Sequence, residues 1–320
     1  MGNSPLRYLR VSVTSRCNLR CIYCRPACGE EGADVLTREE IVRFVRLAVE
    51  CGIEKVRLTG GEPLVRADIV EIVSDLAATP GLDDLGLTTN GSLLAPLASR
   101  LRAAGLRRIN IGLSALAPEV YRSITRGGDV VAVLAGLRAA LDAGMHPVKV
   151  NVVVMRGLND AEIPALALLS REWPVEVRFI EYMPFRDNAQ PPAGSQPAGG
   201  YVVPGAEVLE RLRGLGEVQP IGSEGRRDAA RRYRIAGHKG AIGIIAPHSE
   251  PFCHGCSRVR LTADGRLRAC LIEGSEQDVL PRLRAGLDRA GMERLLAAAA
   301  AAKPALHRGT FRGDMHRIGG

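Results

Sequence analysis

Aromatic residues and long apolar segments are both scarce in this chain. Phe, Trp and Tyr make up 4% of the 320 residues, which argues against binding single-stranded nucleic acid by stacking bases on aromatic rings. No run of about 18 apolar residues occurs, so we expect no transmembrane helix. The N-terminal segment lacks the apolar core of a secretion signal. These absences predict a cytoplasmic protein that binds neither nucleic acid nor a membrane.

Acidic residues are outnumbered by basic ones, and the formal net charge is +8. This excess fits a basic proteome or nonspecific attraction to nucleic acid, and it fits equally a small polyanionic substrate such as a nucleoside triphosphate. The Lys and Arg residues are spread along the whole chain, which argues against a nucleic-acid-binding tail. Charge alone leaves both interpretations open.

The eight cysteines are expected to be metal ligands or core thiols, because disulfides are rare in a reducing compartment. Cys17, Cys21 and Cys24 have C-x3-C-x2-C spacing. Three such thiolates can bind three irons of a four-iron cluster and leave the fourth iron open. Cys28 as a fourth ligand would close the cluster, and a zinc knuckle is a second alternative. We favour the open cluster, because no His accompanies the triad.

A second triad, formed by Cys253, Cys256 and Cys270, has C-x2-C-x13-C spacing. It again leaves one metal position open. The alternative is a zinc ribbon completed by His248 or His254. A second open iron–sulfur cluster could instead bind the substrate directly.

Strand-like and helix-like segments alternate through the first half of the chain and predict about six β/α units. Such alternation implies a parallel sheet with right-handed crossovers, either doubly wound or an incomplete barrel. Both architectures collect functional residues at the C-terminal ends of the strands. The predicted strands are Tyr8–Val13, Lys55–Thr59, Leu85–Thr89, Arg108–Leu113, Val148–Met155 and Val175–Glu181.

A Pro- and Gly-rich segment, Ala189–Gly200, predicts a flexible linker after the last of these strands. The pattern then changes, and we expect three regions: a partial barrel over 1–185, a linker over 186–203 and a smaller domain over 204–320. The elements expected in the last region are a helix near 205–214, a strand at Ala241–Ile245, a hairpin around Ala263–Gly265 and a helical stretch over 276–302.

The first cysteine triad, with Tyr23 before its third cysteine, resembles the signature of the radical S-adenosylmethionine superfamily. Thr59–Pro63 resembles that superfamily's second motif, whose backbone meets the methionine amino group of the cofactor. The resemblance implies that an electron from a [4Fe-4S] cluster cleaves S-adenosylmethionine to methionine and a 5′-deoxyadenosyl radical. It also implies cofactor contacts at Tyr23, Gly61, Gly112 and Met183.

Over essentially its whole length, the chain is similar to the GTP 3′,8-cyclase family of molybdenum-cofactor biosynthesis. The similarity rests on several runs, among them Arg10–Thr14, Thr88–Gly91, Arg178–Pro184, Arg258–Arg260 and Met315–Gly320. It implies an α/β fold: an incomplete (β/α)6 TIM-like barrel with a smaller C-terminal iron–sulfur cluster domain. It also implies a lyase that joins C8 of the guanine to C3′ of the ribose, giving (8S)-3′,8-cyclo-7,8-dihydroguanosine 5′-triphosphate in the first step of molybdopterin biosynthesis.

The same resemblance implies two [4Fe-4S] clusters and S-adenosylmethionine as cofactors, with guanine bound at the C-terminal cluster. It also implies a reducing electron donor, transfer of the product to cyclic pyranopterin monophosphate synthase, and a homodimer. The Gly-Gly end of the chain is expected to reach the active site. The residues expected to contact GTP are Arg10, Arg57, Thr88, Lys149, Arg178, Arg258, Val259 and Arg260, with Lys55 as a weaker candidate.

The chain departs from the family pattern at a few positions. Gly112-Leu113-Ser114 stands where Ser-Leu-Asp is usual, so a hydroxyl expected to touch the cofactor is missing at Gly112. Ser257 replaces a usual Asn, and Arg25 replaces a common Met. These departures bear on cofactor affinity more than on the type of reaction.

Two other functions stay open from the residues alone. A radical enzyme that modifies peptides would usually carry more cysteines in its auxiliary domain than the three found after residue 52. A noncatalytic two-cluster electron carrier would need neither the Gly60–Pro63 motif nor a barrel.

Overall fold

The computed structural model describes residues 5–24, 36–183, 198–222, 229–253, 255–273 and 275–306, and the structural statements below concern these residues. Five sequence predictions lie outside them: those for Arg25, Cys28, His254, the Gly319-Gly320 end and most of the segment 189–200. No helix in the described part of the chain is long and apolar enough to cross a membrane.

Six parallel strands form the centre of a twelve-stranded sheet and lie side by side in chain order. The six predicted strands are confirmed within one residue at each end, because Val, Ile and Leu alternate with polar residues in most of them. These strands are β1 (Tyr8–Ser12), β2 (Lys55–Thr59), β3 (Asp84–Thr89), β4 (Arg108–Gly112), β5 (Val148–Val154) and β6 (Val175–Glu181).

The helices between these strands cover one face of the sheet. The first begins at the predicted capping box, in which the Thr37 hydroxyl accepts from the Glu40 amide and the Glu40 carboxylate accepts from the Thr37 amide. The fourth was missed, although Pro118 at its first position is a known start signal. The helices are α1 (Arg38–Glu50), α2 (Ile69–Ala77), α3 (Ala98–Ala103), α4 (Pro118–Thr125), α5 (Val130–Asp142), α6 (Ile163–Ala167) and α7 (Leu169–Glu172).

The C-terminal part of the chain extends both edges of the same sheet. Its elements are α8 (Gly205–Arg213), β7 (Val218–Ile221), β8 (Arg231–Ile235), β9 (Ala241–Ile245), β10 (Arg258–Leu261), β11 (Arg266–Arg268), β12 (Glu276–Asp278), α9 (Leu280–Arg284) and α10 (Arg289–Ala301). Strand β10 pairs in parallel with β1, and β9 pairs in parallel with β6. The remaining C-terminal strands add antiparallel pairs outside them, in the order β12-β11-β10-β1-β2-β3-β4-β5-β6-β9-β8-β7.

The predicted incomplete barrel is confirmed, since β1 and β6 pair with C-terminal strands and not with each other. The helix predicted over 276–302 is wrong at its start, because Glu276–Asp278 pairs with β11 as a strand. Strands β7 and β8 were not predicted. Their sequences, Val-Gln-Pro-Ile and Arg-Arg-Tyr-Arg-Ile, are polar edge segments without a clear period.

The two faces of the parallel strands differ sharply in chemistry. Alternate residues such as Leu9, Val56 and Ile109 are fully buried in one apolar core shared with the helices. The intervening residues, such as Arg10 and Arg57, are polar and lie on the opposite, inner face. Strands of a parallel sheet are usually apolar on both faces. A polar inner face therefore marks the interior of this partial barrel as the functional site.

Candidate active site

The first cysteine triad lies in the loop that follows β1, at the C-terminal end of the strands. Two backbone hydrogen bonds hold this loop against the end of α4: Arg20 N–H to Thr125 O at 3.1 Å and Ile22 N–H to Ile124 O at 2.9 Å. The Asn18 amide donates to Ser92 Oγ in the loop after β3, at 2.9 Å. The loop is thus fixed by contacts with two other segments of the barrel.

The thiols of this loop suit a positively charged metal centre. Burial, together with the nearby Cys17, raises the pKa of Cys21 to about 12. A metal centre would relieve this cost, because it supplies the positive charge that thiolates need. Among the described residues, no three His, Cys, Asp or Glu side chains are grouped to hold a metal ion. In a four-iron cluster each thiolate binds its own iron, so the three sulfurs need not converge on one point.

The Gly60-Gly61 pair allows the loop after β2 to lie directly on the cysteine loop. A Cβ atom on Gly60 would lie 2.5 Å from Thr14 O, and one on Gly61 would overlap Arg16 O. Because both residues lack a Cβ atom, the two loops approach closely enough for the Gly61 amide to donate to Thr14 O at 2.8 Å. The predicted cofactor-binding motif therefore packs against the predicted cluster loop.

Glu62 joins the loop after β2 to the end of β3, a role that the sequence did not reveal. Its Oε1 accepts from Thr89 Oγ1 at 2.7 Å and from the Leu64 amide at 3.0 Å, and its Oε2 accepts from the Asn90 amide at 2.6 Å. Burial raises the pKa of Glu62 to about 7, although these hydrogen bonds act against the rise. The carboxyl group thus fixes the position of the motif relative to β3.

The residues predicted to contact S-adenosylmethionine lie at the same end of the barrel as the cysteine loop. The Tyr23 and Ser114 hydroxyls form a hydrogen bond at 3.3 Å, and burial raises the pKa of Tyr23 well above its ordinary value. Gly112 is the last residue of β4, and Met183 follows β6 by two residues. A Cβ atom on Gly112 would approach no heavy atom closer than 3.7 Å, so a serine would fit there.

Basic side chains from three adjacent strands meet on the inner face. Arg10 of β1 stands in register with Arg57 of β2 on one side and with Arg260 of β10 on the other. Arg57 is 5% exposed, and its Nε and Nη1 atoms have no hydrogen-bond partner. Burial and the neighbouring arginines lower the pKa of Arg260 well below its usual range. Such buried, mutually repelling cations would be stabilised by a polyanion.

Two carboxylates partly balance the charge on this face. Asp84 accepts from Lys55 at 2.8 Å and also pairs with Arg108, while Arg57 lies 3.9 Å away. Arg108 was not among the predicted site residues. Arg108 is the first residue of β4. Nothing in the sequence indicated that it would pair with Asp84 of β3, which also binds Lys55 of β2.

The second carboxylate, Glu176, lies among three cations on the other side of the barrel. Lys149 Nζ lies 3.6 Å and Arg232 Nε 2.9 Å from its Oε2, and Arg178 pairs with its Oε1. Arg232 was missed because it lies in the unpredicted β8. The two carboxylates are outnumbered by cations, so the face stays positive.

Thr88 shares the inner face with the basic residues, whereas the Val259 side chain does not. Thr88 lies on the inner face, where its Oγ1 accepts from the Asn110 amide at 3.3 Å. The Val259 side chain is fully buried in the apolar core on the opposite face. A contact between Val259 and substrate would therefore have to come from its backbone.

The second cysteine triad lies beside a lysine that was not predicted. Lys303, which follows α10, donates from Nζ to Cys256 Sγ at 3.5 Å and to Ala269 O at 3.1 Å. Burial raises the pKa of Cys256, but Lys303 and Arg258 outweigh it and hold that pKa below its ordinary value. A thiol that ionises readily is suited to bind a metal. His248, proposed for a zinc ribbon, is exposed, and its backbone amide binds Glu181.

A three-cysteine loop, a Gly-Gly-Glu-Pro loop packed on it and a partial barrel with a basic interior define a radical S-adenosylmethionine enzyme. The family model for the Radical SAM superfamily matches residues 11–169. A second model, Molybdenum Cofactor Synthesis C, matches residues 175–309.

Comparison with curated relatives shows which family of radical S-adenosylmethionine enzymes the chain belongs to. The chain is 45% identical to the GTP 3′,8-cyclase of Moorella thermoacetica over 305 residues, which cover 94% of this chain and 92% of that protein. It is 43% identical to the GTP 3′,8-cyclase of Pelotomaculum thermopropionicum over 326 residues, or 98% of each. The chain belongs to the GTP 3′,8-cyclase family, and the predicted family and enzyme class are confirmed.

Solved structures support the fold. The crystal structure of Streptococcus suis SuiB aligns with a TM-score of 0.61 at 15% sequence identity. The alignment covers 89% of this chain and 65% of SuiB. At this identity the likeness establishes the architecture alone.

Proposed function

We propose that this protein catalyses the radical cyclisation of GTP to (8S)-3′,8-cyclo-7,8-dihydroguanosine 5′-triphosphate. This reaction is the first step of molybdenum-cofactor biosynthesis. The observation that carries the proposal is the row Arg10, Arg57 and Arg260 on the inner face, in which Arg57 and Arg260 are buried. A triphosphate would supply negative charge that compensates the positive charge of these guanidinium groups.

The cofactor site is formed by loops at the C-terminal ends of the strands. Cys17, Cys21 and Cys24 would hold a [4Fe-4S] cluster, which supplies the electron that cleaves S-adenosylmethionine to methionine and a 5′-deoxyadenosyl radical. Tyr23 and Met183 border this region, and the close packing of Gly61 on the cysteine loop leaves backbone groups to orient the methionine part. Gly112 offers its backbone only.

The substrate site continues along the inner face. We assign the triphosphate to Arg10, Arg57, Lys149 and Arg178, because these cations come from four strands and lie on the same face of the sheet. Thr88 adds a hydroxyl between them. Binding across several strands would hold the ribose in one orientation, which is what selective removal of a single hydrogen requires.

The guanine end would lie towards the second triad. Cys253, Cys256 and Cys270 would hold a second [4Fe-4S] cluster with one open iron. Strand β10 begins with Arg258, Val259 and Arg260, two residues after Cys256, so it connects this triad with the basic inner face. The readily ionised thiol of Cys256 supports the metal assignment.

The chemistry implies several partners. A reducing electron donor must supply the first cluster, and the cyclised triphosphate would pass to cyclic pyranopterin monophosphate synthase. We further propose a homodimer in the cytoplasm. The seven described cysteines are free thiols, in keeping with a reducing compartment.

The regions 1–185, 186–203 and 204–320 are proposed as the barrel, linker and cluster-bearing parts. The two family models also divide the chain into an N-terminal and a C-terminal part, but they meet between residues 169 and 175, before β6. The shared sheet implies that these parts depend on each other for folding.

Anaerobic reconstitution tests the proposal. Protein loaded with iron and sulfide should bind about eight irons and, with GTP, S-adenosylmethionine and a reductant, form 5′-deoxyadenosine and cyclised GTP. Failure to form both products would contradict the assignment.

A cysteine pair separates the two triads. Cys256→Ala should still form 5′-deoxyadenosine slowly but no cyclised product, because the guanine would lose its metal site. Cys51→Ala is the matched control, since Cys51 caps α1 away from both triads and should retain full activity. Full activity of Cys256→Ala would refute substrate binding at the second triad.

A further inference from the structure

Tyr8 lies at the start of β1 on the basic inner face, two residues before Arg10. Its register partners are Lys55 on β2 and Arg258 on β10. The Lys55 Nζ atom lies 5.2 Å and the Arg258 Cζ atom 5.9 Å from the centre of its ring. Arg10 lies two residues along the same strand and attracts the phenolate electrostatically. The ring of Tyr8 therefore lies close to two cations, and Arg10 and Arg57 act on its phenol as well.

The charges around Tyr8 change its protonation. Burial raises the pKa of the phenol, but Arg57, Arg10, Arg258 and Lys55 outweigh it and lower the pKa from 10.0 to about 7. Two further charged groups lie on the inner face near Tyr8. Arg260 lies beyond Arg10 on β10, and Asp84 pairs with Lys55. At neutral pH the free protein thus contains a substantial fraction of phenolate at this position.

We propose that Tyr8 is a further triphosphate-binding residue, whose hydroxyl takes up a proton as the substrate enters and donates a hydrogen bond to a phosphate oxygen. This inference rests on the proposed function. The triphosphate would neutralise the cations that favour the phenolate, and its own charge would repel the phenolate. Only the neutral phenol can donate to phosphate. The proton comes from the solvent and forms the O–H bond on the phenolate oxygen.

Because Tyr8 takes up a proton when GTP binds, the affinity for GTP depends on pH. The complex favours protonated Tyr8, so the pKa of Tyr8 is higher in the complex than in the free protein. Affinity for GTP should be greatest below the free value of about 7 and should fall as the pH rises through it. The fall attributable to Tyr8 approaches roughly tenfold per pH unit. Ionisation of the terminal phosphate of GTP acts in the opposite direction, but it is the same for every variant.

Calorimetric titration of the reconstituted holoenzyme with GTP tests the proposal. It would be performed anaerobically in pairs of buffers with different ionisation heats, which reports the protons taken up on binding. The wild type should take up more protons than Tyr8→Phe, with a difference approaching roughly one proton per GTP above neutral pH. Tyr8→Phe retains the ring beside Lys55 and Arg258 and should bind GTP roughly tenfold more weakly in mild acid.

The control variant is Tyr233→Phe. Tyr233 is a half-buried phenol on β8 that packs against the apolar core, and its loss should change neither affinity nor proton uptake. Equal proton uptake by the wild type and Tyr8→Phe across the pH range would overturn the role of Tyr8. Absence of GTP binding by the wild type would overturn the proposed function instead.

A second measurement uses the wild-type protein alone, so its result does not depend on whether Tyr8→Phe folds correctly. Inorganic triphosphate should cause the same proton uptake as GTP, whereas guanosine should cause none, because only the phosphates meet the inner-face cations. Proton uptake on binding guanosine alone would place its source elsewhere and overturn the proposal.

Discussion

At the scale of single residues, Glu62 combines a structural role with a shifted protonation equilibrium. Its carboxylate accepts three hydrogen bonds: from Leu64 just after the motif, from Thr89 at the end of β3 and from Asn90 in the loop that follows. The glutamate of this motif was read from the sequence only as part of a cofactor signature. The structure makes it the link between β2 and the loop after β3.

We expect Glu62→Gln to destabilise the protein by about 1–3 kcal/mol, since the new amide N–H₂ would face a backbone N–H donor. In the wild type, burial raises the pKa from 4.5 to about 7. Between these values the folded state holds a proton that the unfolded state has lost. The contribution of Glu62 to stability therefore falls as the pH rises through this window.

The free energy of unfolding, obtained from urea titrations at several pH values, checks this expectation. The difference between the wild type and Glu62→Gln should shrink from mildly acidic to neutral pH. Glu119→Gln, on the exposed first turn of α4, is the control and should show no such trend. A difference independent of pH would show that Glu62 has an ordinary pKa in the fold.

Three of the residues that define the site were beyond sequence reasoning. No sequence motif indicated a role for Tyr8 or Lys303. Glu62 was predicted only as part of the cofactor motif, without its hydrogen bonds to β3 and the loop after it. Their roles come from neighbours far along the chain, as in the contact of Lys303 with Cys256, 47 positions away. A pKa or a hydrogen bond depends on distances in space, which local patterns do not encode.

At the scale of elements, the loop after β2 and the cysteine loop form one unit because Gly60 and Gly61 carry no side chain. The Gly61 position touches the backbone of Arg16, and backbone cannot move aside as a flexible side chain can. The motif itself was predicted from sequence, but the reason for its two glycines was not.

Gly61→Ala should displace the cysteine loop, lower the iron content and weaken binding of S-adenosylmethionine at least tenfold, roughly 1.4 kcal/mol or more. Iron analysis and equilibrium dialysis of the reconstituted protein measure both effects. Gly214→Ala, at the end of α8, is the matched control, because a Cβ atom there would come no closer than 3.6 Å to another heavy atom. Wild-type affinity in Gly61→Ala would show that the contact with Arg16 is not required.

At the scale of the whole molecule, the C-terminal part completes the sheet that the N-terminal part begins. Strand β10 covers the edge of β1, and β9 covers the edge of β6. An edge strand left open exposes a row of unpaired backbone donors and acceptors that can pair with other chains. The two regions therefore share one folding unit, although their motifs and family models are distinct.

A chain ending at residue 185 should consequently fail to fold into a stable monomer. We expect it to aggregate and to lose the cooperative unfolding transition of the full chain. Size-exclusion chromatography and circular dichroism during thermal unfolding measure these properties side by side with the full-length protein. A monomeric fragment with a sharp transition would show that the barrel is independent of β9 and β10.

The sequence by itself determined the six strands, the capped first helix, both cysteine triads and the Gly-Gly-Glu-Pro motif. Each of these is a local pattern of spacing or alternation, and its meaning does not depend on distant residues. Only the tertiary structure decided that β9 and β10 join the barrel, that Val259 faces the core and that Tyr8 lies among four cations. The physical reason is that strand pairing and the electrostatic surroundings of a side chain arise from contacts between segments remote in the chain, where packing outweighs local preference.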